Sequence, residues 1–497
     1  MEQKRPVEQG TSRLTREQKA ARKKERHRRM MVRTITTLVI FFILAGAVIL
    51  VGTNILRKRR ARAAKNAERE AQIAVEEAAL AARREKIREA DKLALSYDYD
   101  GAIALLQSLE NYDRDSDLVN AIAGYTATKS TLEAKDVTKI PHIFYHSLIV
   151  DPGRAFDTTM WDPDTLAGVN AWMTTVDEFD KITQQMYDRG WVLVRMRDLV
   201  TQKTDENGNV TFEKNKSLLL PQDKQPFVLS IDDWSYYHSY DGKGYADKAV
   251  VDENGQIKCQ YTDASGNVSV GDYDVVPRLN TFLEAHPDGA YKGARGLIAM
   301  TGYNGVFGYR TDVAYLTGER LQADQRAFLE SHPDFNWEKD VADATKVAEA
   351  VKASGWEFAC HTWGHLSVTG KPVETLATDQ DKWQNTVANI TGPTDTIIFA
   401  HGADIGTWRD YDEATNDVFA YFKSMGYNFY ANVDASSEYW VQIRPNYCRQ
   451  GRIDCDGLQM WRSISGQAKT NVFENLFDVG SVFDERRPTP VSATGKS

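Results

Sequence analysis

Cysteine is scarce in this sequence, with four among 497 residues. Four cysteines in a chain of this length cannot form the dense disulfide framework of a small secreted domain. Basic side chains are outnumbered by acidic ones outside the N-terminal end. Residues 1–33 contain twelve Lys and Arg and four Glu, a net charge of +8, and the whole chain has a net charge of −9, so residues 34–497 sum to −17. Nucleic-acid binding needs clustered cations against the phosphates, so the main body of the chain is not expected to bind nucleic acid.

Ionisable side chains are absent from residues 34–56, which read TITTLVIFFILAGAVILVGTNIL. About 20 apolar residues allow a helix to cross the hydrocarbon core of a bilayer, so this stretch predicts a transmembrane helix. A signal peptide, whose apolar core is about 7–15 residues long, and a buried core helix are the alternatives. The twelve basic residues before the stretch outnumber the five of RKRRAR (57–62) after it, which predicts a cytoplasmic tail over 1–33. We therefore expect a single-pass protein of the cell membrane, attached to the lipid bilayer, with its larger C-terminal part extracellular.

Glycine and proline are absent from residues 63–92, which are rich in Ala, Glu, Arg and Lys. This composition favours a long helix, and we predict a helical stalk over 57–137. Within the stalk, EADKLALSYDYDGAIALLQSL (89–109) breaks at SYDYDG, a second helix follows, and 116–134 predicts a third. The segment resembles one tetratricopeptide-like hairpin. Repeat arrays need about three units to bury a core, so a spacer and a module that docks a protein partner both remain open.

From residue 138 onwards, short apolar runs alternate with amphipathic segments. The runs are PHIFYH (141–146), WVLVRM (191–196), PFVLSIDD (226–233), GLIAMT (296–301), WEFACH (356–361), TIIFAH (396–401), YNFYANVD (427–434) and GLQMWR (457–462). Helix-like segments lie between several of them, at 177–190, 276–289, 343–355 and 413–426. Buried strands that alternate with helices predict a parallel sheet covered on both faces. The number of units predicts a closed α/β barrel of seven or eight strands over 138–487, followed by a tail over 488–497.

Most of these runs end in His, Asp or Arg, and barrel active sites lie at the carboxyl ends of the strands. His361 and His365 of HTWGH have an i, i+4 spacing that can place two imidazoles on one metal ion. With Thr362 as an N-cap, His365 would lie in the first turn of a helix. Asp232 and Asp233 can line one site only if their strand ends there, because neighbours on a strand point to opposite faces. The histidine pair alone could be ordinary packing, and the aspartate pair alone could be a turn. Because both pairs lie at strand ends of one predicted barrel, together they predict a metal site.

Three motifs in this order resemble the polysaccharide deacetylase family, carbohydrate esterase family 4, over the whole predicted barrel. SIDD (230–233) matches its TFDD-type motif, HTWGH matches its H-[ST]-x-x-H motif, and IFAHGAD (398–404) takes the place of its third motif. The family's usual Leu-x-His motif is missing, because no histidine follows His401. IPHIFYHSL (140–148) instead resembles the N-terminal IPxLxYH segment of the poly-N-acetylglucosamine deacetylases, a circularly permuted branch of the family.

The resemblance implies a distorted barrel of the polysaccharide deacetylase type that removes acetyl groups from an N-acetylhexosamine polysaccharide. It implies that Asp233, His361 and His365 bind a metal, usually Zn²⁺ or otherwise another divalent transition metal. It also implies that Asp232 is the catalytic base. Two imidazoles and one carboxylate leave an open position on the metal, as catalytic zinc sites require.

In the permuted branch, the histidine of the YH pair is the general acid, which implies this role for His146 and leaves His401 as the alternative. The third motif has Ala400 and Gly402 where family members often have Pro or Arg, so the substrate contacts are expected to differ. Candidate contacts to the substrate or the oxyanion are His401, Gly402, Asp404, Trp363 and Trp234. An O-acetyl esterase acting on xylan-like esters and an inactive glycan-binding or assembly protein remain the alternative functions.

Cys448 and Cys455 are seven residues apart. An extracellular location permits a disulfide between them, and two free thiols are the alternative. Their spacing is not a zinc-binding motif.

Overall fold

The computed structural model describes residues 15–208, 210–434 and 436–493. The first fourteen residues of the predicted cytoplasmic tail and the last four of the predicted C-terminal tail lie outside the described residues. The chain divides into two compact units, Met1–Glu85 and Lys86–Ser497, which we describe separately.

The helices of the described residues are, in chain order, α1 (Arg16–Leu95), α2 (Tyr99–Gln107), α3 (Ser116–Lys129), α4 (Pro152–Ala155), α5 (Pro163–Trp172), α6 (Val176–Asp188), α7 (Val275–Ala285), α8 (Val313–Thr317), α9 (Ala323–Ser331), α10 (Trp337–Ala353), α11 (Val373–Thr391), α12 (Asp417–Ser424), α13 (Gly457–Ile464) and α14 (Val479–Val482). The strands are β1 (Glu133–Ala134), β2 (His142–Tyr145), β3 (Trp191–Leu193), β4 (Val200–Thr204), β5 (Val210–Lys214), β6 (Leu219–Leu220), β7 (Gln225–Asp232), β8 (Lys248–Val251), β9 (Ile257–Thr262), β10 (Val268–Gly271), β11 (Leu297–Met300), β12 (Glu357–Cys360), β13 (Thr396–Ile398), β14 (Phe429–Val433), β15 (Trp440–Arg444) and β16 (Tyr447–Asp454).

Helix α1 contains the apolar stretch 34–56 without a break. Its most apolar window is long enough to cross a membrane by length and composition, and none of that window is buried. Phe41 and Phe42 there are 64% and 68% exposed. This helix is a candidate for a single membrane span, and the orientation that the basic flanks predict stays a prediction.

In the second unit, the end of α1 packs with α2 and α3 around a small apolar cluster that includes Ala90, Leu106 and Leu118. The turn after α1 is joined to the barrel by hydrogen bonds, because the Tyr97 hydroxyl donates to the Asp288 carbonyl and the Lys292 amide donates to the Ser96 carbonyl. The three-helix module is therefore part of the same compact body as the barrel.

Seven parallel strands close into a barrel in the order β7, β11, β12, β13, β14, β16, β2 and back to β7. The predicted α/β barrel is thus confirmed. Six of the seven strands coincide with predicted apolar runs, and the four predicted amphipathic segments form α6, α7, α10 and α12. The predicted run at 191–196 forms β3, which pairs with the start of β7 outside the closed ring.

Two expectations about strands were wrong. GLQMWR (457–462) lies in helix α13, whose N-cap is Asp456, and is not a strand. The seventh barrel strand is β16, whose sequence YCRQGRID includes two arginines and an aspartate although every residue of it is buried. A strand whose polar side chains are paired inside the protein shows no apolar run, so hydropathy does not reveal it.

The disulfide permitted between Cys448 and Cys455 does not form. Both thiols are free and buried. Cys448 is the second residue of β16 and Cys455 follows its last residue. A strand rises by about 3.3 Å per residue, so the two Cα atoms are far beyond the roughly 4.4–6.8 Å that a disulfide spans.

Candidate metal centre and active site

Strand β7 ends at the aspartate pair. Asp232 is its last residue, and Asp233 has a left-handed backbone with φ of 56°. This conformation is unfavourable for a residue with a Cβ, and such residues concentrate at functional sites. The chain therefore turns at the point where two adjacent carboxylates must both face the mouth of the barrel.

The HTWGH segment follows β12 as an irregular loop, so the predicted helical turn with Thr362 as N-cap is wrong. Thr362 and His365 have φ of 61° and 49°, and the Thr362 hydroxyl accepts a hydrogen bond from the Leu366 amide at 2.6 Å. Asp379 on α11 accepts from the amides of Trp363 and Gly364, at 2.7 and 2.9 Å. Side-chain acceptors, and not a helix, hold this loop in a strained conformation.

The two motifs meet at one point. Asp233, His361 and His365 offer one ligand atom each, and these atoms lie within 4.8 Å of one another. The Nε2 atom of His365 is 3.3 Å from Oδ2 of Asp233. The rings of His361 and His365 have centroids 5.0 Å apart. The three side chains that the sequence predicts as metal ligands thus lie together and could hold one metal ion, and the side chain of His365 is 26% exposed.

Neighbouring groups orient two of these ligands. Nδ1 of His361 lies 2.7 Å from the carbonyl oxygen of Ile398, so it donates there and leaves the lone pair of Nε2 for the cluster. The hydroxyl of Tyr237 donates to Oδ1 of Asp233 at 2.7 Å, and Oδ2 of the same carboxylate faces His365. Orientation of this kind is what a metal ligand needs, since the hydrogen-bonded atom fixes which other atom points at the metal.

The protonation states also suit a metal. Burial lowers the pKa of His361, which favours the neutral imidazole. Burial by itself would raise the pKa of Asp233, but His365 and His361 lower it below its ordinary value and keep it a carboxylate. Neutral imidazoles and a carboxylate are the donor set of catalytic zinc sites, so the residues present fit Zn²⁺ or a similar divalent transition metal.

Asp232 stands beside the triad and is bound to an arginine that the sequence did not indicate. Its Oδ2 lies 3.8 Å from Nε2 of His361. The guanidinium of Arg452, on β16, donates to both carboxylate oxygens at 2.7 and 2.9 Å. Burial would raise the pKa of Asp232, but Arg452, with His361, holds it well below its usual range. Asp232 therefore carries a negative charge at neutral pH next to the ligand cluster.

His146 follows the last residue of β2 and lies within electrostatic range of both aspartates. Burial lowers the pKa of its imidazole, and the charges of Asp232 and Asp233 oppose part of that shift. Among the described residues its buried Nδ1 has no hydrogen-bond partner. Three sequence-distant elements thus bring His146, the aspartate pair and the histidine pair together.

His401 and Gly402 lie on the other side of His365. The ring centroids of His401 and His365 are 4.2 Å apart, and Nε2 of His401 is 3.1 Å from the His365 carbonyl oxygen. His401 has φ of 59°, which makes it a fourth strained residue at this site. His401 is exposed, and burial of part of its ring lowers its pKa. It is placed to line the mouth of the site.

Asp404 organises a loop and does not face the triad. It forms an ion pair with Arg449 at 3.0 Å, accepts from the Tyr411 hydroxyl at 2.7 Å, and accepts from the backbone amides of Gly406 and Trp408. These bonds fix Asp404 in its loop, and its contact with substrate stays a prediction.

One of the two predicted tryptophans differs from expectation. Trp234 has no exposed surface, and its indole N–H points to the Tyr236 hydroxyl and to the Asp274 carboxylate. It cannot contact a substrate and is a core residue. The Trp363 ring packs over Gly302, lies 4.3 Å from the ammonium of Lys382 on α11 and is only partly buried, and its contact with substrate stays a prediction.

Sequence reasoning missed Arg452, Tyr237 and Asp379, which orient the predicted residues. Arg452 lies 220 positions from Asp232 in a segment without an apolar run. Tyr237 follows the aspartate pair without any motif of its own, and Asp379 lies in a helix, α11, that was not predicted. Residues that orient a ligand have no sequence motif, because only the folded structure determines which buried donor contacts which carboxylate.

No protein-family model and no curated protein matches the chain. Among solved structures, the chain is similar to the Streptococcus pyogenes deacetylase PplD in complex with acetate, with 13% sequence identity and a TM-score of 0.30, over 68% of this chain and 99% of that chain. Similarity at this level carries no argument about the reaction.

Proposed function

We propose that this protein is a metal-dependent deacetylase that removes acetyl groups from an N-acetylhexosamine polysaccharide. One observation carries the proposal: the ligand atoms of Asp233, His361 and His365 converge within 4.8 Å, and a charged carboxylate, Asp232, lies 3.8 Å from one of them. A metal triad with a separate carboxylate beside it is the minimum set for hydrolysis by an activated water.

Asp233, His361 and His365 would hold the metal, with His365 at the exposed side. A bound Zn²⁺ would supply Lewis acidity to the acetyl carbonyl and to the attacking water. The chain's own contribution is the fixed orientation of the ligands through Ile398 and Tyr237.

Asp232 is the proposed base. Arg452 donates to both carboxylate oxygens and keeps the group ionised at neutral pH, which is the form that a base requires. His146 is the proposed acid, which returns a proton to the nitrogen of the departing amine. Burial lowers the pKa of its imidazole, and the nearby negative charges offset part of that shift. His401 is the alternative acid.

The membrane part of the proposal rests on α1. Its apolar window fits a single span, and the larger basic cluster before it favours a cytoplasmic N-terminus and an extracellular barrel. This location would put the site in reach of cell-wall glycan or secreted poly-N-acetylglucosamine.

The test uses the full chain in detergent, loaded with Zn²⁺, and measures acetate released from N-acetylglucosamine oligomers, cell-wall glycan and acetylated xylan. We expect release from the N-acetylated substrates. Asp232→Asn should lower the rate by about 10²–10⁴-fold while the metal content stays unchanged. Asp343→Asn, which removes a carboxylate paired with two lysines on α10, is the matched control and should leave the rate intact.

Three results would contradict the proposal. Release from acetylated xylan alone would make the protein an O-acetyl esterase. Metal binding without acetate release from any substrate would favour a glycan-binding or assembly protein. Full activity in Asp232→Asn would remove this residue from the base role.

A further inference from the structure

A second pocket, of about 890 Å³, lies beside the carboxyl ends of β14 and β16. Its lining includes Asp434 after β14, Trp440 on β15, and Gln459 and Arg462 on α13. Nothing in the proposed deacetylation steps uses these residues, although they lie at the end of the barrel that carries the metal triad.

One lining residue, Val433, connects the pocket to the segment that carries His401 and Gly402. Val433 lines the pocket and lies so close to Gly402 that a Cβ added to Gly402 would be 2.6 Å from the Cβ of Val433. Gly402 follows His401, whose ring packs against the ligand His365. One side of the pocket is therefore in contact with the segment that flanks the proposed ligand His365.

The floor of the pocket is aromatic. Trp408 and Trp440 meet edge to face with ring centroids 4.9 Å apart, and Trp408 is 38% exposed. Gly451 on β16 makes room for them, because a Cβ there would be 3.2 Å from the Cβ of Trp440 and 3.6 Å from the ring of Trp408. An exposed indole that is held from below can receive the apolar face of a sugar ring.

A buried arginine holds this floor in place. The guanidinium of Arg449 lies 5.0 Å from the ring of Trp408 and 4.7 Å from that of Trp440. Its charge is balanced by Asp404 at 3.0 Å, and its Nε donates to Asn432 at 2.8 Å. Asp404 also binds the Trp408 amide, so one carboxylate fixes both the arginine and the loop that carries the exposed indole. The two indole rings are therefore already fixed, and they lose little conformational entropy when a ligand binds.

Two cations face the same pocket. Arg462 and Lys469 line it, and within the described part of the chain neither has a carboxylate at ion-pair distance. The Asp434 carboxylate in the same wall is bound to the amide and hydroxyl of Ser436. Arg462 has only a longer-range interaction with the buried Asp456, so two cations face this pocket in a chain whose residues 34–497 sum to −17. Guanidinium and ammonium groups recognise carboxylate and phosphate.

From these observations we infer that the pocket lined by Trp408, Trp440, Arg462 and Lys469 is a subsite for a sugar unit that bears an acidic substituent, a carboxylate or a phosphate. The sugar ring packs on Trp408, and the substituent binds Arg462 and Lys469. The choice of a glycan ligand rests on the proposed function. The acidic body of the protein repels polyanions in general, so the subsite selects a glycan with isolated acidic groups.

The experiment measures binding by calorimetry to the full chain in detergent, after removal of metal, so that no turnover occurs. Three N-acetylglucosamine oligosaccharides of equal length are compared: neutral, with one carboxylate, and with one phosphate. The double variant Arg462→Gln/Lys469→Gln should raise the Kd of an acidic oligosaccharide about tenfold or more and leave that of the neutral one unchanged. Trp408→Ala should weaken binding of all three, and Trp408→Phe should restore most of it. Lys216→Gln, an exposed lysine between β5 and β6, is the control for charge.

The outcomes separate the two proposals. The subsite is supported if the wild type binds an acidic oligosaccharide more tightly than the neutral one and the double variant does not. The Kd values of the carboxylate and phosphate oligosaccharides then identify the substituent. Equal binding of neutral and acidic oligosaccharides, or no effect of the double variant, overturns it. Acetate release without acid-dependent binding would leave the deacetylase standing and refute the subsite alone. Acid-dependent binding without acetate release would support the subsite and refute the deacetylase.

Discussion

Arg452 and Asp232 form a buried, doubly hydrogen-bonded ion pair across the barrel, with N–O distances of 2.7 and 2.9 Å, between β16 and β7. The arginine has no exposed surface, and its guanidinium also lies 4.0 Å from the ring of Phe144. This pair couples the stability of the barrel to the charge of the proposed base.

Removal of the arginine should cost stability. In Arg452→Met the carboxylate of Asp232 stays buried without its counter-ion, and we expect the free energy of unfolding to fall by about 3–5 kcal/mol. Chemical denaturation monitored by tryptophan fluorescence measures this. The control is Arg444→Met, because Arg444 makes a similar pair with Asp410 at the surface, at 2.8 Å, where loss of a pair costs about 0–1 kcal/mol. Equal losses in the two variants would refute the prediction.

The acid role of His146 can be tested through the leaving group. An amine must be protonated as it departs, whereas 4-nitrophenolate departs without a proton. We therefore expect His146→Ala to lower kcat on N-acetylglucosamine oligomers by about 10²–10⁴-fold and to change the rate on 4-nitrophenyl acetate far less. His401→Ala should lack this dependence on the leaving group. If instead only His401→Ala shows this dependence on the leaving group, the general acid is His401.

The metal triad predicts a defined stoichiometry. Wild-type protein dialysed against Zn²⁺ and then against buffer should retain one metal ion per chain by elemental analysis. His361→Ala should lose it, because two donors remain and the ligand atom fixed by Ile398 is gone. His332→Ala removes an exposed histidine that stacks on Phe328 and should retain the metal. Retention of metal in His361→Ala would exclude this histidine as a ligand.

Asp456 predicts a pH dependence of stability. Burial raises the pKa of this carboxyl, the N-cap of α13, to about 7. The carboxyl of Asp456 ionises near pH 4 in the unfolded chain and near pH 7 in the folded protein. Between these pH values only the folded state keeps the proton. The stability that this group contributes is therefore lost as the pH rises from about 4 to about 7.

Asp456→Asn keeps an N-cap oxygen but cannot ionise, so its Tm should fall less between pH 5 and pH 8 than that of the wild type. Asp343→Asn serves as the control, because the pKa of Asp343 is lowered and it stays ionised over this range. An unchanged pH profile in Asp456→Asn would show that other groups set the slope.

The strands that could be predicted from the sequence are those whose residues are mostly apolar. Strands such as β11 (Leu297–Met300) are buried on both faces and read as apolar runs, so their number and order indicated a barrel. Strand β16 was missed because Gln450 and Arg452 line its buried face, and α13 was misread because a short amphipathic helix with Leu458 and Met460 buried resembles an apolar run.

By itself, the sequence determined where the reactive residues could be: Asp232 and Asp233 at one strand end, and His361 and His365 at another. Chemistry requires residue types at set spacings, and parallel strands bring their carboxyl ends to one edge. The tertiary structure alone decided how those residues are oriented and which others do not belong to the site. Arg452 reaches Asp232 across the barrel, Trp234 turns into the core, and Asp404 turns to Arg449. Such partnerships depend on which buried polar groups face each other after the chain has closed, and a buried charge accepts only a partner that compensates its lost hydration.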